Sequence, residues 1–374
     1  MRDIYADLGM PRLVNAAGTY TVFGGSRMPR EVIEAMVSAA SSFTRIQDFQ
    51  ARVHARIAEL TRNEGAYVTC GCAAGLYLAA AAAVSLRFGK PFRWLKSEEV
   101  ANSEVVVYRA HRNPYDWAVR QLGVRLVEVG YPNTIDPPTV DELEASITQR
   151  TVAIFYTMSG WTAPGALPLK AVIEVARRHR VPVVVDAAAQ LPPVENLWSL
   201  TQAGADAAVF SGGKDLRGPQ STGLVLGRRQ FVEAIAETGF PTYGIGRMLK
   251  VGREELAGLM AAVERYVKMD HAARLQWCER QVRLVIERVE AGGLGLQAIR
   301  TFPNEAGQPI PRALVRKPGA LGWAAAVRDA LLAGDPAIAV TLEGEDGVYI
   351  NPMTLEEGEA ELVVDRLLGV AARL

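Results

Sequence analysis

A lysine set among glycines at the end of an apolar run marks the segment Phe210-Ser211-Gly212-Gly213-Lys214-Asp215-Leu216-Arg217-Gly218-Pro219-Gln220-Ser221-Thr222-Gly223. An amine at the end of a buried strand is unfavourable unless it has a chemical role, and glycines let the backbone approach a ligand closely. Schiff-base formation is such a role, since it removes the free cation and is helped by a partly desolvated site that lowers the lysine pKa. The phosphate-loop pattern G-x-x-x-x-G-K-[ST] is not met, because no glycine stands five positions before Gly213 and Asp215 follows the lysine. The plain alternative is a surface lysine in a loop.

Upstream, Val183-Val184-Val185-Asp186-Ala187-Ala188-Ala189-Gln190 puts a carboxylate at the end of a strand expected to be central, the end of an open α/β sheet where ligands bind. Alone, such an acid equally well caps the next helix. With Lys214 it reads differently: an Asp that holds a pyridinium nitrogen protonated, followed by a strand-end lysine, is what pyridoxal phosphate needs to act as an electron sink. The cofactor's phosphate needs backbone N–H donors at a helix start. Thr69-Cys70-Gly71-Cys72-Ala73-Ala74-Gly75 reads as such a strand-turn-helix junction, a weak signal alone that gains weight from its chain order with Asp186 and Lys214. Cys70 and Cys72 are spaced C-x-C with no second Cys/His cluster nearby, so no metal site is expected.

These groups need a scaffold, and residues 29 to about 230 alternate helical and strand patterns. Pro29 opens a helix whose apolar face is Val32, Ile33, Met36, Val37 and Ala40; Val53, Ile57 and Leu60 line a second. Strands are expected at 66–69, 105–108, 126–129, 152–156, 181–185 and 207–210, mostly continuous apolar runs of the kind covered on both faces. Leu224-Val225-Leu226 is expected to run antiparallel. With helices such as Lys170 to His179 between the strands, this is an α/β domain with a large, mostly parallel sheet. After Gly252 the pattern becomes one long helix to about Val289, then strands near 296–301, 311–315 and 338–342, and helices at 322–332 and from Leu355. That is a smaller α+β carboxy-terminal domain. The expected division is an amino-terminal arm 1–40 packing with the small domain, a large domain 41–248 and a small domain 249–374.

The chain has 374 residues, room for about two domains at roughly 150 residues each. Lys and Arg number 41 against 41 Asp and Glu, with no long run of one sign. Bulk charge therefore gives no reason to expect a nucleic-acid partner, although a local basic site is compatible with it. The acidic amino end lacks the apolar stretch of a signal peptide, and the three cysteines suit reduced thiols, so a cytoplasmic protein is expected. The alanine-rich stretch Ala73 to Leu86 is shorter than the roughly 20 residues of a spanning helix and reads as a core helix, with no membrane partner.

The motifs Asn15-Ala16-Ala17-Gly18-Thr19, Gly24-Gly25-Ser26, Cys70 to Gly75, Asp186 to Gln190, and Ser211-Gly212-Gly213-Lys214 with Gly218-Pro219-Gln220 resemble the selenocysteine synthase-like branch of fold-type I pyridoxal-phosphate enzymes. Within it the chain is most similar to the D-glucosaminate-6-phosphate ammonia-lyase-like group, from about residue 10 to the end. The resemblance implies the pyridoxal-phosphate-dependent transferase-like fold with a seven-stranded type of sheet. It makes Lys214 the Schiff-base lysine and Asp186 the partner of the pyridine nitrogen, with Cys70, Gly71, Cys72 and Ser211 around the phosphate. His111 would stack on the cofactor ring, its alternative being a hydrogen-bonded loop residue. Gln190 and Ser159 would reach the phenolic oxygen, and Gly246, in the glycine loop 244–247, would approach a neighbouring subunit's site. Recognition of a substrate carboxylate suits the bidentate fork of arginine, for which Arg45, Arg247 and Arg312 are candidates. The resemblance favours Arg312, because the small domain supplies the clamp in that branch.

The expected reaction begins with removal of an α proton by Lys214, then loss of a β hydroxyl and release of ammonia and a 2-keto acid. The same first half also serves a racemase, an epimerase or a β-replacement synthase. Selenium transfer onto seryl-tRNA is set aside, since the tRNA-binding members carry an extra amino-terminal domain for which this chain has little room. From other classes come a pyridoxal-phosphate-binding regulatory protein and a nucleotide-binding module. A small anionic amino-containing substrate and at least a homodimer with shared sites are the expected partners.

Overall fold

The computed structural model describes residues 3–162 and 164–374. The chain separates into two compact units, Met28–Met269 and the residues up to Arg27 together with Asp270–Leu374. These boundaries differ from the expected 40/41 and 248/249. The reason is one helix, Arg253–Lys268, which packs on Arg30–Ala40 and Ile46–Leu60. Its Leu256, Leu259, Val263 and Tyr266 are fully buried in the same core as Val53 and Ile57.

Among the described residues, the larger unit is built on seven strands in the order Gly65–Thr69, Gly223–Gly227, Ala207–Ser211, Val183–Asp186, Thr151–Thr157, Glu104–Tyr108, Arg125–Val129. All neighbours are parallel except Gly223–Gly227, which is antiparallel to both of its partners. Successive residues of each inner strand enter different cores: Val106, Ile154, Val185 and Phe210 one, Val107, Phe155, Val184 and Val209 the other. That two-sided burial is why these runs are continuously apolar rather than alternating. The helix Cys72–Phe88 fills much of the second core, with Ala79 to Val84 at most 1% exposed. Its alanines carry nothing beyond Cβ, so the helix packs close to the sheet.

In the smaller unit the strands Thr341–Glu343, Gly347–Ile350, Arg312–Arg316 and Gln297–Thr301 form an antiparallel sheet, and Leu13–Asn15 pairs in parallel with Ala337–Ala339. Three expectations shift here. The long helix to Val289 is two helices, because the Asp270 carboxylate accepts the Ala273 N–H at 2.8 Å and starts a new helix, His271–Ala291. The run 338–342 divides between two sheets, and the last helix begins at Glu359 rather than Leu355. No helix among the described residues is long and apolar enough to cross a membrane.

One histidine of the larger unit ties stability to pH. His54, on Ile46–Leu60, accepts the Val68 N–H through Nε2 at 3.0 Å and lies 4.7 Å from the Tyr67 ring. Burial pushes its pKa down from 6.5 to about 4, and the acceptor role likewise requires an unprotonated Nε2. The unfolded chain therefore binds the extra proton between these values. Its contribution is complete above pH 6.5 and is lost as pH falls toward 4. Urea unfolding at pH 7 and pH 5 is expected to show about 2 kcal/mol of acid destabilisation from this residue. H54Q should lack that share; an identical pH dependence in H54Q contradicts the assignment.

Candidate active site

The carboxyl ends of the central strands bring the proposed groups together. Thr157 pairs with Asp186 and Asp186 with Val209, while Ser211 at the end of its strand pairs with Gly223. Gly223 in turn lies against the turn before the alanine-rich helix: a Cβ there would come within 2.4 Å of the Gly71 carbonyl carbon and 2.6 Å of the Cys72 nitrogen. Gly71 itself, the N-cap residue, has φ of 93°, a left-handed conformation natural to glycine. Glycines at these two positions allow the turn to dock on the neighbouring strand, and that docking carries Cys72 to Asp186.

The Cys72 thiol lies 3.8 Å from Asp186 Oδ1, which also accepts the Ala188 N–H at 3.1 Å. Burial pushes the Cys72 thiol well above its ordinary range, with the Asp186 carboxylate adding to the effect, so it stays protonated and donates. Burial likewise raises the Asp186 carboxyl, opposed by the Ala188 N–H, the Lys214 charge and the Cys72 thiol. Lys214, half-buried, is thus close enough for its charge to act on both. Cys70 sits one residue before the turn, half-exposed, and burial raises its thiol too.

His111, 7% exposed, completes this end of the sheet. Its Nδ1 accepts the Thr157 N–H at 3.3 Å, and its ring stands edge-on to Tyr156 at 4.6 Å and to Tyr108 at 5.4 Å. Burial pushes its pKa down to about 4, so the ring is neutral at pH 7. His111, Thr157 and Asp186 line one small cavity with Leu76 and Phe155.

The other candidates are distributed differently. Gln190 is buried beyond Asp186, its backbone carbonyl holding Asn196 Nδ2 at 2.7 Å, and Ser159 lies in the loop after Thr151–Thr157, its Oγ 3.5 Å from the Trp161 nitrogen. Gly246 is buried against the Thr238–Gly239 backbone, donating its N–H to the Thr238 carbonyl. Arg45 is 85% exposed and paired with Asp48 at 3.3 Å. Arg247 is exposed, stacked over Phe240 and Tyr243. Arg312 belongs to the smaller unit, where it is buried, paired with Glu305 at 2.8 Å and laid over the Tyr349 ring.

Two contributors were not singled out from the sequence. Thr157 orients His111, and its signal was a polar residue ending a central apolar strand. Gly223 makes room for the turn, and its signal was a glycine opening a strand opposite that turn.

The donor set fits pyridoxal phosphate. A buried carboxylate under a lysine's charge suits a protonated ring nitrogen, and the uncapped N–H groups at Gly71–Cys72 suit a phosphate.

The aminotransferase class-V family model matches residues 31–266. A D-glucosaminate-6-phosphate ammonia lyase of Salmonella typhimurium is 32% identical over 99% of this chain and 98% of its own length. A 5'-C-glycyluridine monooxygenase-decarboxylase of a Streptomyces species is also 32% identical, over 96% of this chain and 86% of its own length. A solved structure of D-glucosaminate-6-phosphate ammonia-lyase covers 100% of this chain and 99% of its own, with 31% identity and a TM-score of 0.83. The chain belongs to the aminotransferase class-V family, a fold-type I family of pyridoxal-phosphate-dependent enzymes.

Proposed function

We propose that the protein is an ammonia lyase acting on a 2-amino-3-hydroxy acid of the amino-sugar-acid class, with D-glucosaminate 6-phosphate as the model substrate. The observation that carries the reading is the end-to-end similarity to the ammonia lyase, joined to the Cys72–Asp186–Lys214 cluster at the strand ends. In balance, the substrate loses its C2 proton and its C3 hydroxyl as water. The resulting C2 enamine then takes up water, releasing ammonia and leaving a 2-keto-3-deoxy acid.

When bound, pyridoxal phosphate supplies an electron sink for the charge that develops at C2. Lys214 would anchor the cofactor and, with its amine free, would take the C2 proton on Nζ. Asp186 would hold the proton at the ring nitrogen as its counter-charge. The Cys72 thiol and Ala188 N–H fix the carboxylate's orientation by sharing Oδ1. Gly71, Cys72 and Ser211 would receive the phosphate, and His111, neutral, would face the ring without adding charge. Arg312 is kept as the proposed carboxylate partner on the resemblance to the branch whose small domain supplies the clamp. Arg45 and Arg247 stay as secondary candidates. A cytoplasmic homodimer, with the loop Gly244–Arg247 reaching the neighbouring site, is part of the same proposal.

Incubating the cofactor-loaded enzyme with D-glucosaminate 6-phosphate in D2O is expected to yield ammonia and keto acid in equal amounts without oxygen uptake. Intact, inverted substrate carrying deuterium contradicts elimination and supports a racemase. Oxygen uptake with release of carbon dioxide also contradicts it and supports the chemistry in the Streptomyces relative's name.

The Cys72 contact has its own test. C72A is expected to weaken cofactor binding and slow turnover by about tenfold, the effect of one hydrogen bond to a charged acceptor. C72S, which restores a donor, should recover most of the loss. Equal behaviour of C72A and C72S in a cofactor titration contradicts the donor role.

A further inference from the structure

We propose that the larger unit carries a second anion site, for a small phosphate-bearing metabolite, at the end of the sheet opposite Asp186. A cavity of about 500 Å³ opens there, against the starts of Thr151–Thr157 and Val183–Asp186. Its size is in the range of metabolite pockets, and Leu86, Val152, Ile173 and Phe231 give it an apolar wall. Four arginines line it, Arg87, Arg177, Arg180 and Arg228, with Asp206 the only acid among the lining residues.

That acid offsets one of the four. Asp206 Oδ2 accepts the Val183 N–H at 2.8 Å and Oδ1 faces Arg228 at 3.3 Å. Arg87 is anchored by two hydrogen bonds to the Gln149 carbonyl, at 3.2 and 2.5 Å. At the end of Leu169–His179 the arginines divide by where they point. Arg178, outside the cavity, pairs with Glu144 at 2.5 Å. Arg177 and Arg180, which line the cavity, have no carboxylate within 4.0 Å among the described residues. Basic residues complement a helix carboxyl end, which accounts for charge on that helix. Arg87 likewise ends its own helix, Cys72–Phe88, but Arg228 stands at a helix's amino end, and helix ends do not account for all four guanidiniums converging on one cavity in a protein whose formal net charge is zero. Four guanidinium forks against one carboxylate, beside an apolar wall, is the chemistry that recognises phosphate on a small organic body.

The site is separate from the cofactor's. Thr151 and Val152 line this cavity while Thr157, on the same strand, stands beside Asp186. At roughly 3.3 Å per residue the two lie about 20 Å apart.

The test is calorimetric titration of the cofactor-loaded enzyme with inorganic pyrophosphate. One saturable site is expected. The double variant R177Q/R180Q, changed only at exposed positions, should weaken it roughly a hundredfold, about tenfold for each guanidinium lost. R178Q removes the same kind of charge from the same helix outside the cavity and should change affinity less than about twofold. Turnover without pyrophosphate should be unchanged in both variants. The proposal is overturned by the absence of saturable binding up to millimolar pyrophosphate. It is equally overturned by undiminished binding in R177Q/R180Q, or by equal losses in R178Q and the double variant.

Discussion

K214A is expected to lose turnover by at least roughly four orders of magnitude, because one substitution removes both the anchor of the cofactor and the base that takes the C2 proton. The fold should be untouched. Lys214 is only half-buried and lies outside the hydrophobic cores, so the variant's unfolding midpoint should match that of the wild type. The two readouts are keto-acid release and the visible absorbance of lysine-bound pyridoxal phosphate, and both should vanish together. K214R keeps the cation yet is expected to be equally inactive, since a guanidinium that never deprotonates neither forms the bond to the cofactor nor takes the proton. Turnover by K214A within tenfold of wild type would transfer the catalytic role to another residue.

The second large effect is at Asp186. D186N keeps the shape of the side chain but removes the counter-charge to the ring nitrogen. Breaking a buried pair of opposite charges leaves the partner uncompensated, so cofactor affinity and kcat are each expected to fall roughly a hundred- to a thousandfold. The direction of the carboxyl's shift bears on this. Burial raises it, and the Lys214 charge and the hydrogen bonds from Ala188 and Cys72 oppose that rise. A ring cation at this position would favour the charged form further. The measurement is a cofactor titration followed by turnover at saturating cofactor. Unchanged kcat in fully loaded D186N contradicts the electron-sink role even if affinity falls.

Much of this arrangement is legible from residue order because it depends on local signals. Val183 to Val185 and Ala207 to Phe210 are continuous apolar runs, and the polar residue that ends each, Asp186 and Ser211, marks the same end of a parallel sheet. The antiparallel course of Gly223–Gly227 goes with the connection 212–222 before it, which is made of turns and holds no crossover helix. What depends on distant parts of the chain is less visible. Helix Arg253–Lys268 carries an apolar face that suits either unit, and only its packing on Arg30–Ala40 and Ile46–Leu60 assigns it to the larger one. Cys72 reads as a turn residue until Gly223 allows the turn to dock and the thiol reaches Asp186. Arg45, Arg247 and Arg312 are equivalent as letters, yet two end up exposed and one is buried beside Glu305. Long side chains report little about their surroundings, since Asp48, Phe240 and Glu305 decide where each points.

The central claim is that Lys214 holds the cofactor in the cluster with Asp186 and Cys72. Borohydride reduction of the cofactor-loaded enzyme followed by peptide mapping tests it most directly. The expected result is a single pyridoxyl adduct on the peptide containing Lys214, absent from K214A treated in the same way. An adduct on any other lysine of the wild-type enzyme, or none at all, contradicts the account.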